Sequence, residues 1–255
     1  MSDRSAIEWT DASWNPVTGC SKVSPGCAHC YAETLSLRYG WSQRPWIAKN
    51  AAENVILHPE RLEQPLRWKR PRMVFVNSMS DLFHERVPSE FRREVWAVMD
   101  RARQHTFQIL TKRPETMRAW LLANVDVTQP ILPNVWLGTS IENNRWTHRA
   151  DDLRDTAAAV RFISAEPLLG PLDQLDLGGI DWLIVGGESG PGHRPMDATW
   201  VRDLRHRANE SGVAFFFKQW GGRTPKAGGR ELDGRTWDEY PTPRAVGFAR
   251  HLTAV

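Results

Sequence analysis

The feature that most constrains this chain is a rhythm of short apolar runs, each ending in a polar cluster and each followed by a helical pattern. Met73–Asn77 leads into Ser78-Met79-Ser80-Asp81. Thr106–Leu110 leads into Thr111-Lys112-Arg113, and Val135–Thr139 into Ser140-Ile141-Glu142-Asn143. Val160–Ser164 leads into Ala165-Glu166-Pro167, Trp182–Val185 into Gly186-Gly187-Glu188-Ser189-Gly190, and Val213–Phe217 into Lys218-Gln219-Trp220. The runs recur roughly every 25–35 residues, the period of βα units in a parallel sheet. Uninterrupted runs such as Val213–Phe217 suit strands covered on both faces. With a short extended segment before residue 19, the pattern predicts an α/β chain folded as an incomplete (β/α) barrel of mostly parallel strands, similar to a TIM barrel. In such a barrel the residues just after each strand line the mouth where sites are built. Turn formers and helix caps account for some of these polar residues. They do not readily account for Lys112, Glu142, Glu166, Glu188 and Lys218 all falling at strand ends.

Between the strands, helices are expected over Tyr31–Gly40 (with Ala32, Leu35 and Tyr39 on one face), Ser89–Gln104, Pro114–Leu122, Arg145–Asp155 and Ala198–Ser211. Ser89 reads as an N-cap. A short helix is expected around Glu60–Arg67. Residues 1–222 read as the partial barrel, and 223–255 as a hairpin and tail packing on it. Asp233-Gly234 stands at the expected turn, and the hairpin can lie over the mouth as a lid or on the surface.

All three cysteines fall in one loop, Gly19-Cys20-Ser21-Lys22-Val23-Ser24-Pro25-Gly26-Cys27-Ala28-His29-Cys30-Tyr31, with spacing C-x6-C-x2-C. Three thiolates can hold three corners of an iron–sulfur cluster and leave a fourth open, whereas a structural zinc site closes all four positions. Three readings compete: a [4Fe-4S] cluster on Cys20, Cys27 and Cys30; zinc with His29 or a distant histidine as fourth ligand; and three cysteines with no metal. A zinc deaminase would carry H-x-E ahead of P-C-x-x-C, and no histidine precedes Cys20.

The charge balance of 33 Lys+Arg against 30 Asp+Glu leaves +3, too little by itself to argue for nucleic acid. The 13 tryptophans, several beside Arg or Lys as in Arg67-Trp68-Lys69-Arg70, can stack on bases but more often serve packing. No signal peptide and no apolar run of about 18 residues is present. A soluble, cytoplasmic protein without membrane contact is the expectation, and a reducing compartment suits cysteines kept as metal ligands.

A three-cysteine loop after the first strand of an incomplete β/α barrel resembles the radical S-adenosylmethionine enzymes, whose usual spacing is C-x3-C-x2-C. Cys27-Ala28-His29-Cys30 matches the second half of that motif, and the first interval here is three residues longer. Trp14-Asn15-Pro16-Val17-Thr18-Gly19-Cys20, Ser24-Pro25-Gly26-Cys27-Ala28-His29-Cys30-Tyr31-Ala32, Leu232-Asp233-Gly234-Arg235 and Trp237-Asp238 together resemble an uncharacterised family encoded by phages and prophages. The resemblance implies a [4Fe-4S] cluster, S-adenosylmethionine as cofactor, formation of a 5′-deoxyadenosyl radical and a flavodoxin- or ferredoxin-like electron donor. It places the methionine amine near Asn77, Ser78, Ser80 and Asp81, the carboxylate near Lys112 or Arg113, and the ribose near Ser140 and Glu142. Glu166, Glu188 and Lys218 remain for substrate, with a nucleotide or nucleic acid as the candidate. Two other functions stay open: a non-catalytic nucleic-acid-binding protein with a structural zinc or iron–sulfur site, and a zinc-dependent hydrolase or deaminase.

Overall fold

Each of the six apolar runs forms a strand, and a seventh strand precedes the cysteine loop. The computed structural model describes residues 5–125 and 132–243. In chain order the strands are β1 (Ala12–Trp14), β2 (Val17–Thr18), β3 (Ile56–Leu57), β4 (Met73–Val76), β5 (Thr106–Thr111), β6 (Val135–Ser140), β7 (Val160–Ala165), β8 (Trp182–Gly186) and β9 (Ala214–Gln219). The helices are α1 (Tyr31–Arg38), α2 (Ala51–Asn54), α3 (Ser89–Arg101), α4 (Pro114–Asn124), α5 (Arg149–Arg154) and α6 (Ala198–Glu210).

Seven strands pair in the order β1-β4-β5-β6-β7-β8-β9, every pair parallel. Each new strand is added at the same growing edge, so the accumulated twist curls the sheet without closing it. The result is an incomplete α/β barrel, as the strand rhythm predicts. β2 and β3 form a separate antiparallel ribbon that flanks the loop.

Side chains alternate between the two faces of a strand, and each face has its own core. Val74, Val76, Phe107, Ile109, Leu137, Ile163, Leu183, Val185, Phe215 and Phe217 pack outward against helix residues such as Val95, Met117, Leu153 and Leu204. Phe75, Trp136, Phe162, Trp182, Ile184 and Phe216 fill the concave face together with Trp9. Trp9 lies 4.7 Å from Phe75 and edge-on to Trp182. Fully burying each such ring contributes roughly 1.5–3 kcal/mol. Followed toward and just past the carboxyl ends, the concave positions turn polar: Trp136, Gly138, Ser140 and then Glu142 after β6; Phe162, Ser164 and then Glu166 after β7; Ile184, Gly186 and then Glu188 after β8; Phe216 and Lys218 on β9. The same two-residue period that builds the aromatic plug delivers the charged residues to the mouth.

Four local expectations are corrected. Pro88, not Ser89, stands at the N-cap of α3; the Ser89 hydroxyl donates to Asn124 and accepts from the Trp120 indole. The Glu60–Arg67 stretch forms two single 3₁₀ turns, because prolines at 59 and 65 restart the chain without the length for a helix. The Arg145–Asp155 helix is a 3₁₀ turn at Asn144–Trp146 followed by α5. On α1 the buried residues are Ala32, Glu33 and Ser36, while Tyr39 faces solvent. Glu33 takes the inner position because its carboxylate accepts the Trp46 amide and pairs with Lys22 at 2.8 Å.

The C-terminal hairpin forms, with Leu232 bridging Arg235. It lies along the free edge of β9: Phe217 donates to Trp237 O, Glu239 donates to Phe215 O, and Asp233 pairs with Arg202 and Arg205 of α6. These contacts cover an edge that would otherwise expose unpaired backbone, and Arg230 and Tyr240 of the same segment pack on Phe216. The tail beyond residue 243 lies outside the described residues.

Candidate functional site

The cysteine loop is tied to the carboxyl ends of four strands, β4, β5, β6 and β8. Gly19 bridges Ser80 after β4, and the Tyr31 hydroxyl donates to Ser78 O at the same strand end. Arg113, after β5, donates to Cys20 Sγ at 3.7 Å and to Ser21 O and Oγ. Ser24 donates to Glu142, after β6, at 2.5 Å. His29 Nδ1 donates to Glu188, after β8, at 2.9 Å. A loop tied to so many strand ends is fixed by the barrel rather than by its own turns.

Glu142 is the principal tie. Its side chain is fully buried and bonded to Lys112 at 3.1 Å, Arg149 at 3.1 Å and Ser24. Gly26 packs directly on it: a Cβ at that position would lie 2.4 Å from Glu142 Oε1. Asp81 ties the other side, accepting from Arg113 at 2.9 Å, from Thr111 Oγ1 at 2.7 Å and from the Phe83 and Lys112 amides. Ser21 meets the buried His84 at 2.8 Å. His84 Nδ1 accepts the Arg86 amide, so Nε2 carries the proton and donates to Ser21. Burial, reinforced by Arg113, lowers the His84 pKa and keeps the ring neutral.

All three cysteines are free, and each residue is partly exposed. Burial pushes the Cys20 thiol up to about 12, with Asp81 adding to the rise and Arg113 opposing it. Burial also raises Cys30, against the pull of the Ala32 and Glu33 amides at the start of α1 and of Lys112. Cys20 and Cys30 each feel the charge of Cys27. Without a bound cation these two thiols therefore hold their protons, while N–H groups and cations stand ready for the thiolates. Among the described residues, no group of three or more His, Cys, Asp or Glu is arranged to hold a metal ion.

The remaining predicted residues divide in two. Ser78, Ser80, Asp81, Lys112 and Glu142 are engaged in the frame of the loop; Ser78 bonds Asn15, and Ser80 donates to Val17 O. Ser140 is buried, and its carbonyl accepts Arg149. Glu166 and Lys218, on neighbouring parts of the concave face, pair at 2.9 Å with side chains still partly accessible. Glu188 accepts from His29 and from the backbone and side chain of Arg194. Burial pushes its carboxyl up, but the Arg194 and His29 hydrogen bonds outweigh it and hold the pKa at about 2.

Arg149 and Arg194 complete the site and were not expected from the sequence. Arg149 could have been suspected from Arg145 and Arg149 sharing a helix face around Trp146. Arg194 sits in the Gly-Pro-rich stretch after Glu188, where only the charge in a turn marks it. A cavity of about 440 Å³ adjoins the loop, lined by Val23, Lys112, Arg113, Trp146 and Arg149 among others. Its volume suits a small organic ligand.

Comparison with known families matches residues 4–241 to one family model, described as a protein of unknown function, DUF5131. No curated protein and no solved structure matches the chain.

Proposed function

Starting from a chain that belongs to the DUF5131 family, we propose that Cys20, Cys27 and Cys30 hold a [4Fe-4S] cluster at the mouth of the half-barrel, and that the protein is a radical S-adenosylmethionine enzyme. The observation that carries this reading is the position of the loop: its three free thiols lie over the carboxyl ends of the parallel strands, where such folds build active sites. The donor types suit the group, although among the described residues the three cysteines are not drawn together as a metal-holding set, so loading must bring the thiols together. Three thiols leave a corner free, and five cations, Lys112, Arg113, Arg149, Arg194 and Lys218, accompany four carboxylates, Asp81, Glu142, Glu166 and Glu188. A bound cluster would supply one electron for reductive cleavage of S-adenosylmethionine at its open corner.

The chain's own residues set the conditions. Arg113 and the first amides of α1 stabilise the Cys20 and Cys30 thiolates as their protons are released on loading. Glu142 and Asp81 hold the loop against the strand ends. Glu188 fixes the His29 ring. Glu166 and Lys218 are the partly accessible pair left to meet substrate. A flavodoxin- or ferredoxin-like protein would donate the electron, and a nucleotide or nucleic acid is the proposed substrate class. Among the described residues no helix is long and apolar enough to cross a membrane.

The experiment is anaerobic reconstitution of the wild type and of the three single Cys→Ala variants, with iron and acid-labile sulfide counted. About four of each per chain is expected for the wild type, with a loss in each variant and 5′-deoxyadenosine formed on adding reductant and S-adenosylmethionine. Zinc bound in place of iron, with no 5′-deoxyadenosine, would overturn the proposal.

A further inference from the structure

Downstream of the cysteine loop the chain exposes aromatic surface. Tyr39 and Trp41 are 58% and 62% exposed, and their rings lie side by side at 5.2 Å and 30°. Arg38 lies over the Tyr39 ring at 5.7 Å. The pair is held in place by the end of α1. Gly40 takes a positive φ of 70°, which a side chain would strain, and the backbone returns with Trp41 N donating to Ser36 O at 2.8 Å and Gly40 N to Leu37 O. Gln43 closes the turn by donating to Gly40 O. Behind it, Trp46 is buried, its indole donating to Ser42. The platform is thus preorganised and faces solvent.

The sequence around it is basic. From residue 34 to residue 52 the sequence carries Arg38, Arg44 and Lys49 and no carboxylate. Arg44 reaches outside that stretch to pair with Glu53, with both side chains largely exposed. Exposed Thr34 and exposed Tyr31 continue the surface along α1 back to the mouth. Eight helical residues span about 12 Å, so the platform lies within a short reach of Cys30. Exposed rings beside Arg38, with Arg44 shared with Glu53 close by, offer bases a stacking face and phosphates a counter-charge. An apolar protein partner would gain nothing from the cations.

We infer that Tyr39 and Trp41 form a stacking platform for single-stranded nucleic acid, which would deliver the strand along α1 toward the mouth. The inference names the substrate class of the site proposed above, but the platform itself requires no bound cluster.

The test is fluorescence anisotropy of labelled single-stranded DNA and RNA oligonucleotides of mixed sequence, titrated with the full-length protein, with the matching duplexes as controls. Single strands should bind in a salt-sensitive manner and more tightly than duplex. Tyr39→Ala and Trp41→Ala should each weaken binding about five- to a hundredfold, and Trp41→Phe should retain most of it. Both rings are exposed, so circular dichroism and Tm should stay at wild-type values. Equal binding by wild type and Trp41→Ala, or no binding of either single strand, overturns the inference. So does a Trp41→Ala change that alters only self-association, which would mark a protein interface instead. Iron content measured on the same samples separates this result from the fate of the cluster: strand binding lost with iron retained removes the platform alone, and iron absent with strand binding retained removes the cluster alone.

Discussion

Replacing Glu142 with alanine tests how the loop is held. The carboxylate is fully buried and is shared by Lys112, Arg149 and Ser24. Arg149 is itself 3% exposed, and its remaining contacts are Ser140 O at 2.8 Å and the Trp146 ring at 4.2 Å. Neither neutralises its charge. Removing one partner of a buried ion pair costs about 3–5 kcal/mol, because the other charge is left desolvated. Lys112 adds less, since its side chain reaches solvent. Urea unfolding should therefore show Glu142→Ala losing about 3–5 kcal/mol. The exposed Glu90, paired with Arg93 on the surface of α3, gives the contrast: Glu90→Gln should leave the urea midpoint nearly unchanged. A second readout separates the loop from the bulk fold. With Ser24 and Gly26 no longer anchored, Cys20, Cys27 and Cys30 in the metal-free protein should react faster with a thiol reagent below the unfolding transition. A loss of about 1 kcal/mol or less, with unchanged thiol rates, would refute the claim that Glu142 holds the loop.

Three further outcomes are expected. Gly26→Ala drives a Cβ to 2.4 Å from Glu142 Oε1, so it should cost about 1–3 kcal/mol and lower iron retention, both measurable on one preparation. Glu188 contributes stability that is present above its ordinary value of 4.5 and lost as pH falls toward its folded value of about 2. The stability gap between wild type and Glu188→Gln should accordingly be full at neutral pH and close between those limits in acid unfolding titrations. Lys218→Met should leave iron content unchanged while impairing turnover, because Lys218 pairs with Glu166 at the mouth and does not touch the loop's ties; a loss of iron would assign it to the loop frame.

The barrel was legible because strands buried on both faces leave uninterrupted apolar runs, and because the polar residue after each run marks the strand's end. Lys112, Glu142, Glu166, Glu188 and Lys218 do stand together at the mouth. Their pairings were not legible, because Lys112 meets Glu142 across the neighbouring strands β5 and β6, and Glu166 meets Lys218 across the width of β8, in a strand order and register the sequence does not state. For the same reason Glu142 and Asp81, read as cofactor contacts, are found bound into the frame that holds the loop. Tyr39 was misread because helical spacing alone assigns it to the face of Ala32 and Leu35. The burial of Glu33, forced by its bonds to Lys22 and the Trp46 amide, rotates the inner face of α1 and leaves Tyr39 outside.

The most direct measurement is electron paramagnetic resonance of anaerobically reconstituted, dithionite-reduced protein, recorded with and without S-adenosylmethionine. A [4Fe-4S] signal is expected that shifts when S-adenosylmethionine is added and that is lost on replacing Cys20, Cys27 or Cys30. A wild-type protein that takes up zinc and gives no cluster signal would contradict it.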